Sequence, residues 1–246
     1  MNAVLSLLAD HRSDRSFTDE PVSDAALDAI IRAGRRAPTS CNGQHVSVVV
    51  VRDNEKRARI ADLAGKQPWV AKAPVFLALV LDFHKLNAGV TRAGRVQSVQ
   101  NHVEGLIAGC LDCGIALQAM ALAARSQGLG IVPIGGIRNN PQEMIDLLAL
   151  PPLTFSPVGL CVGHTAKQSG QRPRLPLETF RHDECYDPSR IAEAVEAYDA
   201  AMLAFWKEQG RLDGQSWSAA IAPRFDRNER PKLRPTLTRQ GMRFED

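Results

Sequence analysis

Apolar residues follow two rhythms along this chain. Near-continuous aliphatic runs at Val46–Val51, Val75–Asp82, 131–134 and 157–163 read as four buried strands. Elsewhere the apolar positions recur at three- and four-residue spacing. Leu27, Ile30, Ile31 and Gly34 place an amphipathic helix over 24–36, with Ser23 as its N-cap. Asp53 caps a helix running to about Ala64, and Asn140 and Pro141 open another. The stretch from about Gln97 to Gln127 is an unusually long helix, apolar on most sides and dense in Gly, Ala and Cys. Such a helix belongs in the core or at a subunit interface. A further helix over 188–210 carries Ile191, Val195, Tyr198, Met202, Phe205 and Trp206 on one face. Residues 37–43 and 167–176 read as polar loops. Beyond Arg224 the chain is charged, proline-spaced and poor in core material, which suits disorder or a place on a partner's surface. Helices mixed with apolar strands suggest an α+β or α/β fold, one sheet covered on both faces.

Composition narrows the class. A chain of 246 residues is long enough for a substantial core, and its net charge of +3 suits small anions better than nucleic acid. The tail sets Asp226, Glu229, Glu245 and Asp246 beside its bases and offers few aromatics for stacking, so nucleic acid is not expected as a partner. No apolar run reaches the roughly 20 residues of a membrane span. The N-terminus has no basic start before its apolar residues and reads as a first helix rather than a leader. Five cysteines, an odd number, argue against a disulfide framework, and a cytoplasmic setting is expected. Cys110 and Cys113 have C-x-x-C spacing but lie inside the apolar helix and read as small buried residues. No metal-ligand spacing, nucleophile elbow or Walker A sequence is present.

Three segments carry chemistry. His11-Arg12-Ser13-Asp14-Arg15-Ser16-Phe17 and Arg172-Pro173-Arg174 are arginine clusters, read as lacking an acidic partner and suited to phosphate through the planar guanidinium fork. Between them, Gly135 and Gly136 follow a strand, where their amides would face a ligand and Ile134 would give it an apolar surface. The three-glycine spacing of a dinucleotide site is missing. Brought together, the segments make a pocket for a phosphate joined to a flat heterocycle.

In combination, His11 to Pro21, Ile134 to Asn140, Gly159 to Gly163, Pro173 to Pro176 and Trp217-Ser218 resemble the FMN-dependent nitroreductase superfamily, in particular its oxygen-insensitive NADPH nitroreductases and NADPH:flavin reductases. The resemblance implies an α+β intertwined homodimer with FMN at the subunit interface. Residues 1–165 would form the core, and 166–246 an extension completing the same domain and the dimer, its arm around the partner. It also implies that His11, Arg12, Ser13 and Arg15 bind FMN, with Arg15 at the pyrimidine edge together with Gln67. Thr39 and Ser40 would meet the isoalloxazine, Ile134, Gly135 and Gly136 line the ring, and Arg172 and Arg174 hold the phosphate. Pro133 stands where a tyrosine is found and donates no amide. Arg172 replaces a lysine, and Pro38 and Asn42 replace small hydroxyl residues. Gln209 stands where the family places an arginine for the 2′-phosphate of NADPH, leaving Arg211 as the candidate and NADPH or NADH as the donor.

The expected reaction is ping-pong hydride transfer from NAD(P)H through FMN N5 to nitroaromatics, quinones or free flavin. No side chain acts as a nucleophile, and Arg15 gives electrostatic support to the reduced ring. The alternatives are a flavin or ferric reductase serving another enzyme, and a flavin-binding sensor without catalysis.

Overall fold

The computed structural model describes residues 2–245. Met1 and Asp246, which end the first-helix and tail readings, lie outside the described residues. The chain divides into two units, Met1–Ser169 with Arg230–Asp246, and Gly170–Glu229.

The first unit is built on one four-stranded sheet. Strands β1 (Val46–Val51), β2 (Val75–Asp82), β3 (Gly130–Ile134) and β4 (Thr154–Gly163) lie in the order β1-β2-β4-β3, every neighbouring pair antiparallel. This makes the fold α+β, because α/β units need parallel strands. β4 begins three residues earlier than its apolar run suggests. Pro157 sits inside it, where the β2–β4 register shifts between Leu79 and Leu81, and Ser156 Oγ donates to Leu79 O at 2.7 Å. A central strand tolerates proline at such a bulge.

Both faces of the sheet are covered. On one, Phe76, Ala78, Val132, Ile134 and Cys161 pack with Ile60 and Leu63 of α3 (Asn54–Leu63), Val70 of α4 (Pro68–Lys72) and Met144 of α7 (Pro141–Leu147). On the other, Leu77, Leu79, Ile131, Leu160 and Val162 pack with Leu27 and Ile30 of α2 (Asp24–Arg35) and Ala116, Met120 and Ala124 of α6 (Val103–Ser126). The caps read from sequence form: Ser23 Oγ accepts from Ala26 N, and Asp53 Oδ1 from Lys56 N. Against the expectation that no apolar run is long enough for a membrane span, α6 has the length and composition to cross one, its polar residues Glu104, Asp112 and Gln118 only interrupting the run. Here it packs on the sheet, with Gly109 against Leu81 and Met120 against Gly34 of α2. Its opposite face carries Val103, Ile107, Leu111 and Ile115, all exposed.

Several expectations change. The long helix starts at Val103, since Val99–Asn101 is a single 3-10 turn and His102 is extended. Four helices were not legible in the pattern: α4, α5 (Phe83–Arg92), and the helices at Trp217–Phe225 and Leu233–Arg239. The tail beyond Arg224 does not remain without a core. Its α10 (Leu233–Arg239) brings Leu237, followed by Met242, into a buried cluster with Leu81, Phe83, Cys113 and Phe155 of the same chain. Lys232 Nζ donates to Asn140 Oδ1 and Arg239 Nε to Gln142 Oε1, fixing α10 beside α7.

The second unit contains α8 (Ile191–Glu208) and α9 (Trp217–Phe225). Asp199 on α8 accepts from the backbone N–H of Ser218 at 2.8 Å and from its hydroxyl. Tyr198 packs edge-on to Trp217 and donates to Pro173 O at 3.0 Å.

Candidate flavin site

The first predicted segment leaves α1 (Ala3–Ala9) and runs beside the strand ends. Asp14 N donates to Ile131 O, Thr18 N to His164 O, and Ala166 N to Ser16 O, while Phe17 pairs with Thr165. Phe17 is drawn into the core. Gly130 allows this approach, because a Cβ there would lie 2.3 Å from Thr165 Oγ1 and 3.1 Å from Asp14 Oδ2. The cluster does have acidic partners. Arg12 pairs with Asp10, which also takes Arg125 at 3.0 Å, and Asp14 is buried. Arg12 also reaches Ser169 O. His11 borders a cleft of about 120 Å³ with Leu7, Leu8, Gln118 and Arg125. Arg15 remains exposed, its guanidinium 5.4 Å from the Trp69 ring centroid and its Nη1 donating to Ser13 O.

Trp69 brings Arg15 next to the Gln67 turn. Gln67 Nε2 donates to Ala64 O at 2.6 Å, which fixes the amide and leaves Oε1 as its accepting end. Gly136 lies against the same turn. A Cβ there would sit 2.3 Å from Ala64 O and 2.5 Å from Gln67 Nε2. Its glycine is therefore required by the protein's own packing, not only by a ligand. Gly135 faces Arg138, with 3.3 Å from a Cβ to Nη2. Ile134 is 1 % exposed and part of the core, so its side chain offers no surface to a ligand and only its backbone is available. Pro133 is exposed on β3, opposite Leu160. Because Ile131 O points outward to Asp14, the nitrogen two residues on points outward as well, and Pro133 costs the sheet no ladder bond.

Thr39 and Ser40 lie in a loop pinned to α6. Ser40 N donates to Asp112 Oδ2 at 2.9 Å and Ser40 Oγ to Asp112 Oδ1 at 3.3 Å. Burial raises the thiols of Cys110 and Cys113, which makes them poor nucleophiles.

In the second unit Arg172 and Arg211 both lie over the Trp206 indole, 5.0 Å and 4.6 Å from its centroid. Arg174 donates to Arg172 O and Pro173 O. Gly214 packs against the base of the same indole, where a Cβ would lie 2.2 Å from Trp206 Cγ, and Trp206 Nε1 donates to Gln215 O. Gln209 ends α8, and Arg211 Nε is 3.6 Å from Asp213. Sequence reasoning found the arginines but not Trp69 or Trp206, the rings that hold them. With only three tryptophans in the chain, their closeness in sequence to Gln67 and Arg211 was the available signal.

These features define an α+β protein with exposed arginines held on aromatic rings, and the chain belongs to the nitroreductase family. Residues 8–164 match the Nitroreductase family and residues 172–245 the Nitroreductase family, C-terminal domain. The chain is 42 % identical over 248 residues to the FMN reductase [NAD(P)H] of Bacillus subtilis, covering 100 % of each. It is 34 % identical to the NADPH-flavin oxidoreductase of Vibrio harveyi, over 98 % of this chain and 99 % of that one. The solved structure of B. megaterium NfrA2 superposes with a TM-score of 0.97 at 38 % identity, over 100 % of both chains.

Proposed function

We propose that this chain is an FMN-dependent oxidoreductase that takes electrons from NAD(P)H and reduces nitroaromatics, quinones or related acceptors two electrons at a time. The observation that carries this reading is the junction of Arg15, Trp69, Gln67 and Gly136 in a chain whose relatives, matched end to end, include an FMN reductase. The junction fits the group. A flavin's pyrimidine edge presents one N–H between two carbonyls, and this part of the chain offers both partners: the amide acceptor Gln67 Oε1 and, over Trp69 two residues further on, the guanidinium donor of Arg15. Arg172 and Arg174 suit a phosphate through their planar guanidinium forks, and His11, Arg12 and Ser13 are the first unit's own candidates for FMN contacts.

FMN supplies the two-electron chemistry at N5 when bound. The chain's own residues bind and orient it. Arg15, held over Trp69, would place its positive charge at the ring edge, where it would stabilise negative charge with little reorganisation. Thr39 and Ser40 set the loop facing the ring, and the backbone at Ile134 to Gly136 lines it. Arg211, held on Trp206, is the candidate for the donor's 2′-phosphate. Replacing Arg15 with Leu removes a charged hydrogen bond worth about 1.5–3 kcal/mol. FMN retention, read by flavin fluorescence, should fall roughly 10- to 150-fold.

The working form is a homodimer. The exposed stripe of Val103, Ile107, Leu111 and Ile115, spaced by four on α6, suits a second copy of this chain. All five cysteines are free thiols, in keeping with the cytoplasm.

The test is the visible spectrum of the purified protein, followed by NADPH or NADH without oxygen. A flavin spectrum that bleaches quickly supports the reading, and the faster donor reports on Arg211. Protein that cannot take up FMN sinks it. A second reading, a flavin reductase supplying another enzyme, is favoured by the name of the Bacillus subtilis relative. Turnover of free FMN or a ferric chelate well above that of nitrofurazone would establish it.

A further inference from the structure

We propose that Asp112 is the positioning residue of the loop that faces the flavin, holding Thr39 and Ser40 in their receiving conformation. This rests on the reading of Thr39 and Ser40 as flavin contacts. Asp112 projects from α6 among inward residues that are otherwise Gly, Ala, Cys and Met. It is 2 % exposed. A carboxylate at that depth persists only where polar partners replace water.

Its partners come from the two ends of one loop. At one end, Ser40 gives Asp112 its backbone N–H at 2.9 Å and its hydroxyl at 3.3 Å. At the other, His45 Nε2 approaches Asp112 Oδ2 to 3.0 Å. His45 is 5 % exposed, and neither ring nitrogen makes an aligned hydrogen bond, so this is a charge-to-ring contact. Between these ends the backbone is held in an uncommon state. Cys41, Asn42 and Gln44 have φ of 51°, 54° and 49°, the left-handed region that residues with a Cβ avoid. Three such residues in four positions persist only where the surroundings over-determine them. Asp112 does so from below, and Thr39 Oγ1 does so from within by accepting Gln44 N–H at 3.1 Å. Gly43 leaves room for the arrangement, since a Cβ there would lie 2.6 Å from His45 Nδ1.

Asp112 thus touches neither cofactor nor substrate and acts through Ser40. The two replacements that test it are Asp112→Leu, which offers no acceptor, and Asp112→Asn, whose amide oxygen still accepts from Ser40 N–H. On the holoenzyme, the leucine variant should raise the FMN dissociation constant about tenfold or more and alter the shape of the visible flavin band. The asparagine variant should rescue most of this, staying within about threefold of wild type. Should the leucine variant not fold, hydrogen exchange on Asp112→Ala, which also lacks the acceptor, carries the test, with the Ser40 amide protected in wild type and Asp112→Asn and exchanging about tenfold faster in Asp112→Ala. Lowered thermal midpoints with unchanged FMN dissociation and band shape would overturn the proposal, as would equal Ser40 protection, while leaving the flavin reading intact. Wild-type protein that holds no FMN would overturn both.

Discussion

The two units of this chain are held together by different means. The first rests on a sheet sandwiched between helices, with Phe76, Leu77, Leu79, Ile131 and Ile134 almost wholly buried. The second buries only a few large side chains, among them Tyr198 and Met202. It relies instead on specific contacts: two guanidiniums over Trp206, an edge-on Tyr198–Trp217 pair, and Asp199 capping α9. A core built on apolar area spreads its stability over many contacts. A unit built on a few rings concentrates it, so single substitutions there should change geometry and anion binding more than global stability.

The largest effect should come from the sheet. Phe76→Ala removes a fully buried ring from the central strand β2, packed against Ile60 and Val70, and should cost about 3–5 kcal/mol. A denaturant midpoint shift of that size in a Trp69-monitored unfolding curve would support the contrast. Trp206→Ala should cost the arginines their platform, about 1 kcal/mol of cation–π interaction. Retention of FMN or of the phosphorylated donor should weaken roughly fivefold, with the Phe76-centred transition unmoved. Equal global destabilisation by the two changes would break the comparison. Thiol titration should divide along burial: Cys41 and Cys185 react in the native protein, while Cys113 and Cys161, their thiols raised by burial, wait for unfolding. The smallest effect belongs to pH. Hydrogen bonds from Ser218 hold the Asp199 carboxyl below its ordinary value. Its contribution is therefore present above the unfolded carboxyl's pKa of about 3.9 and lost as pH falls through the lower folded value. Trp217 fluorescence should change in that acid window, and Asp199→Asn should remove the transition.

What the sequence disclosed follows the range of the forces involved. β1, β2 and the helices behind Ser23 and Asp53 are set by local rhythm and local caps, and they stand where the pattern puts them. β4 extends three residues before its apolar run because Thr154 and Ser156 interrupt the aliphatic pattern, and the bulge that admits Pro157 cannot be seen without the partner strand. α10 looked core-poor because its core belongs to Leu81, Phe83 and Phe155, far away in the chain. The site divides in the same way. Arg15, Gln67 and the glycines were legible as residue types. The protein-packing role of Gly136, and the hold of Asp112 on Ser40, 72 residues distant, appear only in three dimensions.

Pro133 has a consequence for how this protein behaves in crowded solution. β3 is an outer strand of the sheet, and its free margin is where another chain would add itself and begin a ribbon. Along that margin Ile131 O is already taken by Asp14, and the next outward nitrogen belongs to a proline. A stray strand would find one acceptor occupied and one donor missing within three residues. The position that looked like a lost ligand contact should therefore also make this margin a poorer template for a stray strand. Replacing the proline with tyrosine would restore a backbone donor at the cost of opening that margin.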